Sequence, residues 1–521
     1  MGQSLNYFVS FTDKNGSPYS VDQPEEFLTP KSINRRINQQ INVLMEDLPV
    51  NPAYLLGIEA VGSVSVRETS KWFNGALIQA VTADAEAIKL LPYVSSVKFI
   101  APASVGGRTS KHFEVDSLSV FESDTLFQFD ILGIPEMRAD GFIGENMLLA
   151  VMDGGFEGMP MVSAFNTLFS DNRVLMSYDF IGRTSDVYQY SDHGTQVMSL
   201  LAAEQTNPDY VGVLPNAEYL LFITEDINFE YRLEEYRWLV AAEKADSAGA
   251  DVISSSLGYA IFDDPAMDYS AADLDGLTTV ITRAAQKASE KGILVVSSSG
   301  NLGFGNPWST VLFPADIIDG LAVGSITANY SQSSFSSEGP TADSRIKPDV
   351  VALGSSAYVI NKAGNIITNN GTSFSTPQVA GLAAGVWQAY PDISAAELLF
   401  ALRMSSSNAG QPDNSIGYGV PNYNALSNFL EAEQSETWYA VYPNPVNESG
   451  YLKIKVFDPA RDQIVNIGLF DALGKPLTED RLNISWQNNE YFLELLSLPR
   501  GIYILNLQSE NNFSQVKILK L

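Results

Sequence analysis

A chain of 521 residues, 45% hydrophobic, 11% aromatic and 18% charged, has ample apolar material for well-packed cores, and its length suggests about three domains. Its 61 acidic and 31 basic residues give a formal charge of −30, which repels phosphate backbones and argues against nucleic-acid partners. There is no cysteine, which excludes thiol nucleophiles, disulfides and thiolate metal centres, and a multi-histidine metal site would have only His112 and His193 to draw on.

Residues 3–101 read as a small α+β unit that opens with an apolar strand at 7–11. Thr29 followed by Pro30 starts a helix, with the threonine as cap and the proline in the first turn. Ile33, Ile37, Ile41 and Leu44 continue it as an apolar stripe at helical spacing. Strands at 63–67, 76–81 and 96–100, with a helix at 83–91 capped by Thr82, complete the pattern of an open-faced sandwich. The stretch 102–125, which contains His112, carries scattered serines and glycines without periodicity and reads as a linker open to proteolysis.

Residues 126–432 alternate helical stretches with short apolar runs at 148–152, 174–176, 219–223, 252–254, 293–296 and 321–323. Buried parallel strands have this appearance, so the expectation is an α/β domain with a doubly wound, mostly parallel sheet. A polar, acidic stretch, 431–437, follows. Over 437–521 the pattern changes to period two: Leu452, Ile454 and Val456 alternate with Lys453 and Lys455, and Val465, Ile467, Leu469, Ile502, Ile504, Val516 and Ile518 sit in similar stretches. This predicts a C-terminal β-sandwich. No run reaches the ~18 apolar residues of a membrane helix. The start, Met1-Gly2-Gln3, lacks a signal-peptide pattern, so the expectation is that a signal has been removed from this chain.

Ligands of doubly wound folds gather at the carboxyl ends of the strands. Asp153 ends the first run and is followed by Gly154-Gly155. His193 lies in Ser191-Asp192-His193-Gly194-Thr195, where a loop enters an apolar helix. Ser373 lies in Gly371-Thr372-Ser373-Phe374-Ser375-Thr376-Pro377, which opens a long helix whose first N–H groups lack intrahelical partners. Each segment alone has a plainer reading, as a strand-end turn, a structural histidine or a helix cap. Together they supply a nucleophile, a base and an orienting carboxylate, and Asn301, at the end of another run, adds an amide donor for an oxyanion.

In the order Asp, His, Asn, Ser, these segments resemble the subtilases, the subtilisin-like serine proteases. Ser256-Leu257-Gly258, Gly300-Asn301, Lys347-Pro348-Asp349 and Gly417-Tyr418-Gly419 add to the likeness. The resemblance implies a serine endopeptidase in which Ser373 attacks, His193 moves the proton, Asp153 orients it and Asn301 stabilises the oxyanion. Ser256, Leu257, Gly258, Ser299 and Gly300 would bind protein or peptide substrates, and no cofactor would be required for catalysis. Residues 3–101 resemble the inhibitory propeptide of that family, an intramolecular partner, with 102–125 as the processing linker. The tail, with Tyr442-Pro443-Asn444-Pro445 and Gly501-Ile502-Tyr503, resembles the sorting domain read by the type IX secretion machinery of Bacteroidota, which implies a secreted or cell-surface protein.

The acidic group Asp263, Asp264, Asp268, Asp273 and Asp275 leaves a structural calcium site open without matching a calcium-loop spacing. The pocket beside Ser373, with Leu302 and Leu312 near it, suggests a small or apolar specificity. The competing reading is a surface binding or adhesion protein on an inactive subtilase scaffold; the presence of Asp153, His193, Asn301 and Ser373 together favours the enzyme.

Overall fold

The computed structural model describes residues 3–102, 127–206, 209–303, 305–306 and 308–434, and, from 439 onward, all but 443, 445, 447–450, 458–463, 472–474, 478–482, 488–489, 497, 510–512 and 521. His112 and nearly all of the 102–125 linker lie outside the described residues. The chain divides into two compact units, Met1–Ser427 and Asn428–Leu521.

In the first unit, β1 (Leu5–Phe11), β2 (Ser65–Ser70), β3 (Gly75–Ala80) and β4 (Val94–Pro102) form an antiparallel sheet in the order β2-β3-β1-β4. Three helices accompany it: α1 (Pro30–Asn38), α2 (Pro52–Glu59), absent from the sequence reading, and α3 (Thr82–Ile88), which begins at Thr82 rather than being capped by it. Phe8, Trp72, Leu77 and Ile100 join the core of the following domain, and Phe8 stacks on Tyr236 with ring centroids 4.4 Å apart.

The apolar stripe expected along α1 is corrected by the structure. The helix stops at Asn38, Ile37 is 65% exposed and Leu44 50% exposed, and the buried face is Ser32, Arg35 and Arg36. The reason is the partner. Arg35 donates to Asp246 Oδ1 at 2.6 Å, to the Ala250 carbonyl at 2.5 Å and to the Lys291 carbonyl at 3.1 Å. Arg36 and Lys71 reach the same Asp246 carboxylate, each at 2.8 Å. Burial pushes the Asp246 carboxyl up, but Lys71, Arg35 and Arg36 outweigh it and hold it well below the usual range. The β2–β3 turn docks on Glu243, which accepts from Ser70 Oγ and from the backbone N–H groups of Lys71 and Trp72.

The larger domain is built on seven parallel strands: β5 (Leu148–Asp153), β6 (Val174–Asp179), β7 (Glu218–Ile223), β8 (Val252–Ser255), β9 (Leu294–Ser298), β10 (Leu321–Ile326) and β11 (Val350–Leu353), in the order β11-β10-β9-β8-β5-β7-β6. β5, β8, β9, β10 and β11 are buried along their whole length, which is why they read as continuous apolar runs. Helices α4 (His193–Ala202), α5 (Leu233–Ala248), α6 (Val280–Glu290) and α7 (Thr372–Ala389) flank the sheet. Strand order reverses direction around β5 and β8, the switch point where side chains at strand ends face an open crevice.

The second unit holds two antiparallel sheets. One is β12 (Tyr439–Tyr442), β13 (Tyr451–Val456), β16 (Glu490–Glu494) and β15 (Asn483–Gln487), in that order; the other is β14 (Ile464–Asp471), β17 (Gly501–Ser509) and β18 (Phe513–Lys520). Leu452, Ile454, Val456, Leu469 and Ile518 enter their shared core as the period-two pattern required. On β17 the inward residues are Tyr503, Leu505 and Leu507, so Ile502 lies on the outer face, 40% exposed.

Candidate active site

Asp153 sits at the carboxyl end of β5 with no solvent exposure, and the Gly154 N–H donates to its Oδ1 at 2.8 Å. His193 is the first residue of α4, and its Nδ1 lies 2.9 Å from Asp153 Oδ2 and 3.0 Å from Oδ1. The glycines make this approach feasible. Gly194 N–H donates to the Gly155 carbonyl at 2.9 Å, and a Cβ on Gly194 would fall 2.4 Å from that oxygen. Any side chain there would force the histidine helix away from the aspartate strand. Burial pushes the His193 imidazole down, but the Asp153 charge, its hydrogen bond and the carboxylates of Glu225 and Asp192 outweigh it, so the imidazole stands above its ordinary value.

Ser373 lies in the first turn of α7, which starts at Thr372. Pro377 is therefore inside the helix. It has no N–H for the carbonyl four residues back, that of Ser373. Ser256 Oγ supplies the missing donor at 2.9 Å, while Ser373 Oγ lies 3.4 Å from the Ser256 carbonyl. The end of β8 and the nucleophile candidate are thus tied by a proline. Thr376 Oγ1 and Ser375 Oγ both donate to the Thr372 carbonyl, tightening the same turn.

Asn301 follows β9. Its Oδ1 accepts from Thr372 N–H and Thr372 Oγ1, both at 2.9 Å, which fixes the amide so that Nδ2 is the free donor end. A cleft of about 270 Å³ brings together His193, Ser256, Leu257, Gly258, Gly300, Asn301 and Ser373. The Phe374 ring packs 5.6 Å from the His193 ring. Ser299, named from the sequence as a binding residue, has a buried side chain, and its carbonyl accepts from Leu312 N–H at 2.9 Å. Glu225 and Glu230 also line the cleft and were missed in the sequence. The signal for Glu225 was available, because it follows a buried strand at its carboxyl end as Asp153 does.

Of the acidic group expected near β8, Asp263 accepts from the Glu230 N–H at 3.1 Å and the others serve local turns. Asp264 caps Ala266 N–H, Asp273 accepts from Ser270, Asp275 from Leu277 and Thr278, and Asp268 from Phe262. Among the described residues, no group of three or more histidine, aspartate or glutamate side chains is arranged to hold a metal ion. Nor, among them, is any helix long and apolar enough to cross a membrane.

Residues 144–419, more than half of the chain, match the model of the subtilase family, peptidase S8. The chain belongs to the subtilase family. Residues 6–114 match the peptidase S8 propeptide domain of Bacteroidota, and 440–520 match the secretion system C-terminal sorting domain. Subtilisin DY of Bacillus licheniformis is 30% identical over 292 residues, covering 55% of this chain and 94% of its own. Subtilisin E of Bacillus subtilis is 27% identical over 357 residues, covering 68% and 80%. The crystal structure of MycP1 from the ESX-1 type VII secretion system superposes with a TM-score of 0.49 at 21% identity, covering 62% of this chain and 90% of that one. This subtilase is a subtilisin-like serine endopeptidase with a propeptide domain, and its sorting domain marks it for export, to the medium or the cell surface.

Proposed function

We propose that this subtilase hydrolyses peptide bonds through an acyl-enzyme on Ser373. His193 Nδ1–H donates to Asp153, which leaves the lone pair on Nε2 for the cleft. Ser373 Oγ attacks the scissile carbonyl carbon while His193 takes its proton. The carbonyl oxygen becomes an oxyanion, received by Asn301 Nδ2 and the Ser373 N–H at the head of α7. The intermediate collapses as His193 returns the proton to the leaving amine, and Ser373 is left acylated. Water then attacks the ester, His193 takes its proton, and a second collapse releases the acid and restores the hydroxyl. The observation that carries this reading is the His193–Asp153 pair at 2.9 Å in one cleft with Ser373 and with an Asn301 amide oriented by Thr372. No step calls on a cofactor.

In the same reading the chain is a zymogen. Residues 3–101 act as the intramolecular inhibitor, cleavage falls within 102–125, and residues 437–521 are the domain read by the type IX machinery. The docking of the propeptide region on Glu243 and Asp246 supports the first of these. A fluorophosphonate probe should label the matured protein and leave Ser373→Ala unlabelled. Incubating the full chain should remove about the first hundred residues as activity rises. Labelling that survives Ser373→Ala would overturn the assignment of the nucleophile.

A further inference from the structure

The slot beside the proposed nucleophile is narrowed by a leucine. Its location follows from the proposed nucleophile. One wall is residues 256–258, continuing β8 and tied to Ser373 through Ser256. The other is residues 298–300, continuing β9 and ending at Asn301. A peptide whose carbonyl carbon meets Ser373 Oγ, with its oxygen toward Asn301, sends the side chain on the acyl side between these walls. The floor is the segment 311–313, bonded to both. Leu312 N–H donates to the Ser299 carbonyl at 2.9 Å, and Tyr259 and Phe313 exchange two backbone hydrogen bonds of 3.0 Å.

The Leu312 side chain rises from that floor into the slot. A Cβ placed on Gly258 would fall 2.9 Å from Leu312 Cβ and 3.0 Å from its Cδ1. A Cβ placed on Gly300 would fall 2.7 Å from Leu312 Cγ and 2.9 Å from the same Cδ1. Both walls are glycine where Leu312 touches them, and the leucine occupies the width between them. Leu312 is held there, because it packs against the main core. The carboxylates that line the cleft, Asp192, Glu225 and Glu230, come from the loops before α4 and after β7. They are not part of these walls or this floor.

We infer that Leu312 closes the acyl-side pocket and makes this a protease that cleaves after glycine, alanine or serine, while excluding aromatic and long aliphatic side chains. A leucine touching both walls leaves depth for a methyl-sized group, and a larger side chain would have to displace it from its packing. The slot therefore sets specificity by exclusion rather than by attraction, a repulsive element of the kind that discriminates between substrates of similar polarity. This inference rests on Ser373 being the nucleophile.

The test uses the matured enzyme and tetrapeptide nitroanilides that differ only in the last residue, glycine, alanine, valine, leucine or phenylalanine. The expectation is kcat/KM for alanine over phenylalanine of ~10²-fold or more, falling steadily with side-chain size, since each methylene is worth roughly tenfold or more in such pockets. Leu312→Gly should raise kcat/KM for phenylalanine relative to alanine by ~10²-fold; Leu312→Ala should fall between. Fluorophosphonate labelling of each variant checks the nucleophile separately. If the wild-type enzyme is labelled at Ser373 yet cleaves after phenylalanine as fast as after alanine, the inference about Leu312 is wrong while the site assignment stands. If labelling itself does not depend on Ser373, the assignment falls first. Should Leu312→Gly fail to fold, the wild-type profile and Leu312→Ala decide the matter alone.

Discussion

Arg35 offers a direct measure of how the propeptide domain is held. The Arg35 side chain makes its hydrogen bonds to the Asp246 carboxylate and to the carbonyls of Asp246, Ala250 and Lys291, and none within residues 3–102. It is 6% exposed. Replacing it with methionine keeps the stem and removes the fork, leaving the Ala250 and Lys291 carbonyls without this donor, while the Asp246 carbonyl keeps the Gly249 N–H. Asp246 keeps Arg36 and Lys71, so the charge is not stranded. Breaking one partner of a buried ion pair typically costs about 3–5 kcal/mol, and the remaining cations place this case toward the lower end. At about 1.4 kcal/mol per tenfold, the added segment 3–102 carrying Arg35→Met should inhibit the matured enzyme about 10²-fold more weakly than the unaltered segment. Arg35→Lys should recover only part of the loss, because an ammonium cannot span the same spread of acceptors. The assay is the inhibition constant from peptide hydrolysis, with one enzyme preparation titrated by each segment. Constants within threefold of one another would refute the reasoning and place the binding energy in the Phe8, Trp72 and Leu77 surface instead.

Three more outcomes are expected. Hydrolysis should fail on the acid side as His193 protonates, at a pH above the ordinary histidine value of ~6.5 because its imidazole is raised, with circular dichroism unchanged across the limb. Glu225→Gln, which removes one of the charges favouring the imidazolium, should move that limb to lower pH; a limb that stays put would show that Glu225 does not act on the base. Ser256→Ala should lower thermal stability by about 1–3 kcal/mol by leaving the Ser373 carbonyl without a donor. Adding Pro377→Ala should restore most of the loss, since residue 377 then has its own N–H, and strictly additive melting shifts would contradict the role given to the proline. Ending the chain after Leu430 should leave peptide hydrolysis nearly unchanged while abolishing export from the native host, and a folded but inactive truncation would show that the tail completes the active domain.

The buried strands, and the polar groups offered at their ends, were legible in the residues alone. A strand buried on both faces must be apolar throughout, so β5, β7, β8, β9 and β10 announced themselves, and a polar residue directly after such a run has only the crevice to face. That logic reached Asp153, and the glycines after it left room for its carboxylate to reach inward. The tertiary structure decided which faces meet. Periodicity reports where apolar residues lie along α1, but a neighbouring helix carrying Asp246 turned its charged side inward and left Ile37 in solvent. The partner of the carbonyl freed by Pro377 is Ser256, 117 positions earlier in the chain. Leu312 is an ordinary apolar residue in the sequence, and it fills the pocket only because β8 and β9 are neighbours in the sheet, with Gly258 and Gly300 facing each other across it. Local spacing constrains which groups a segment offers, while their partners depend on contacts far apart in the chain, and those are fixed only when the sheet order is.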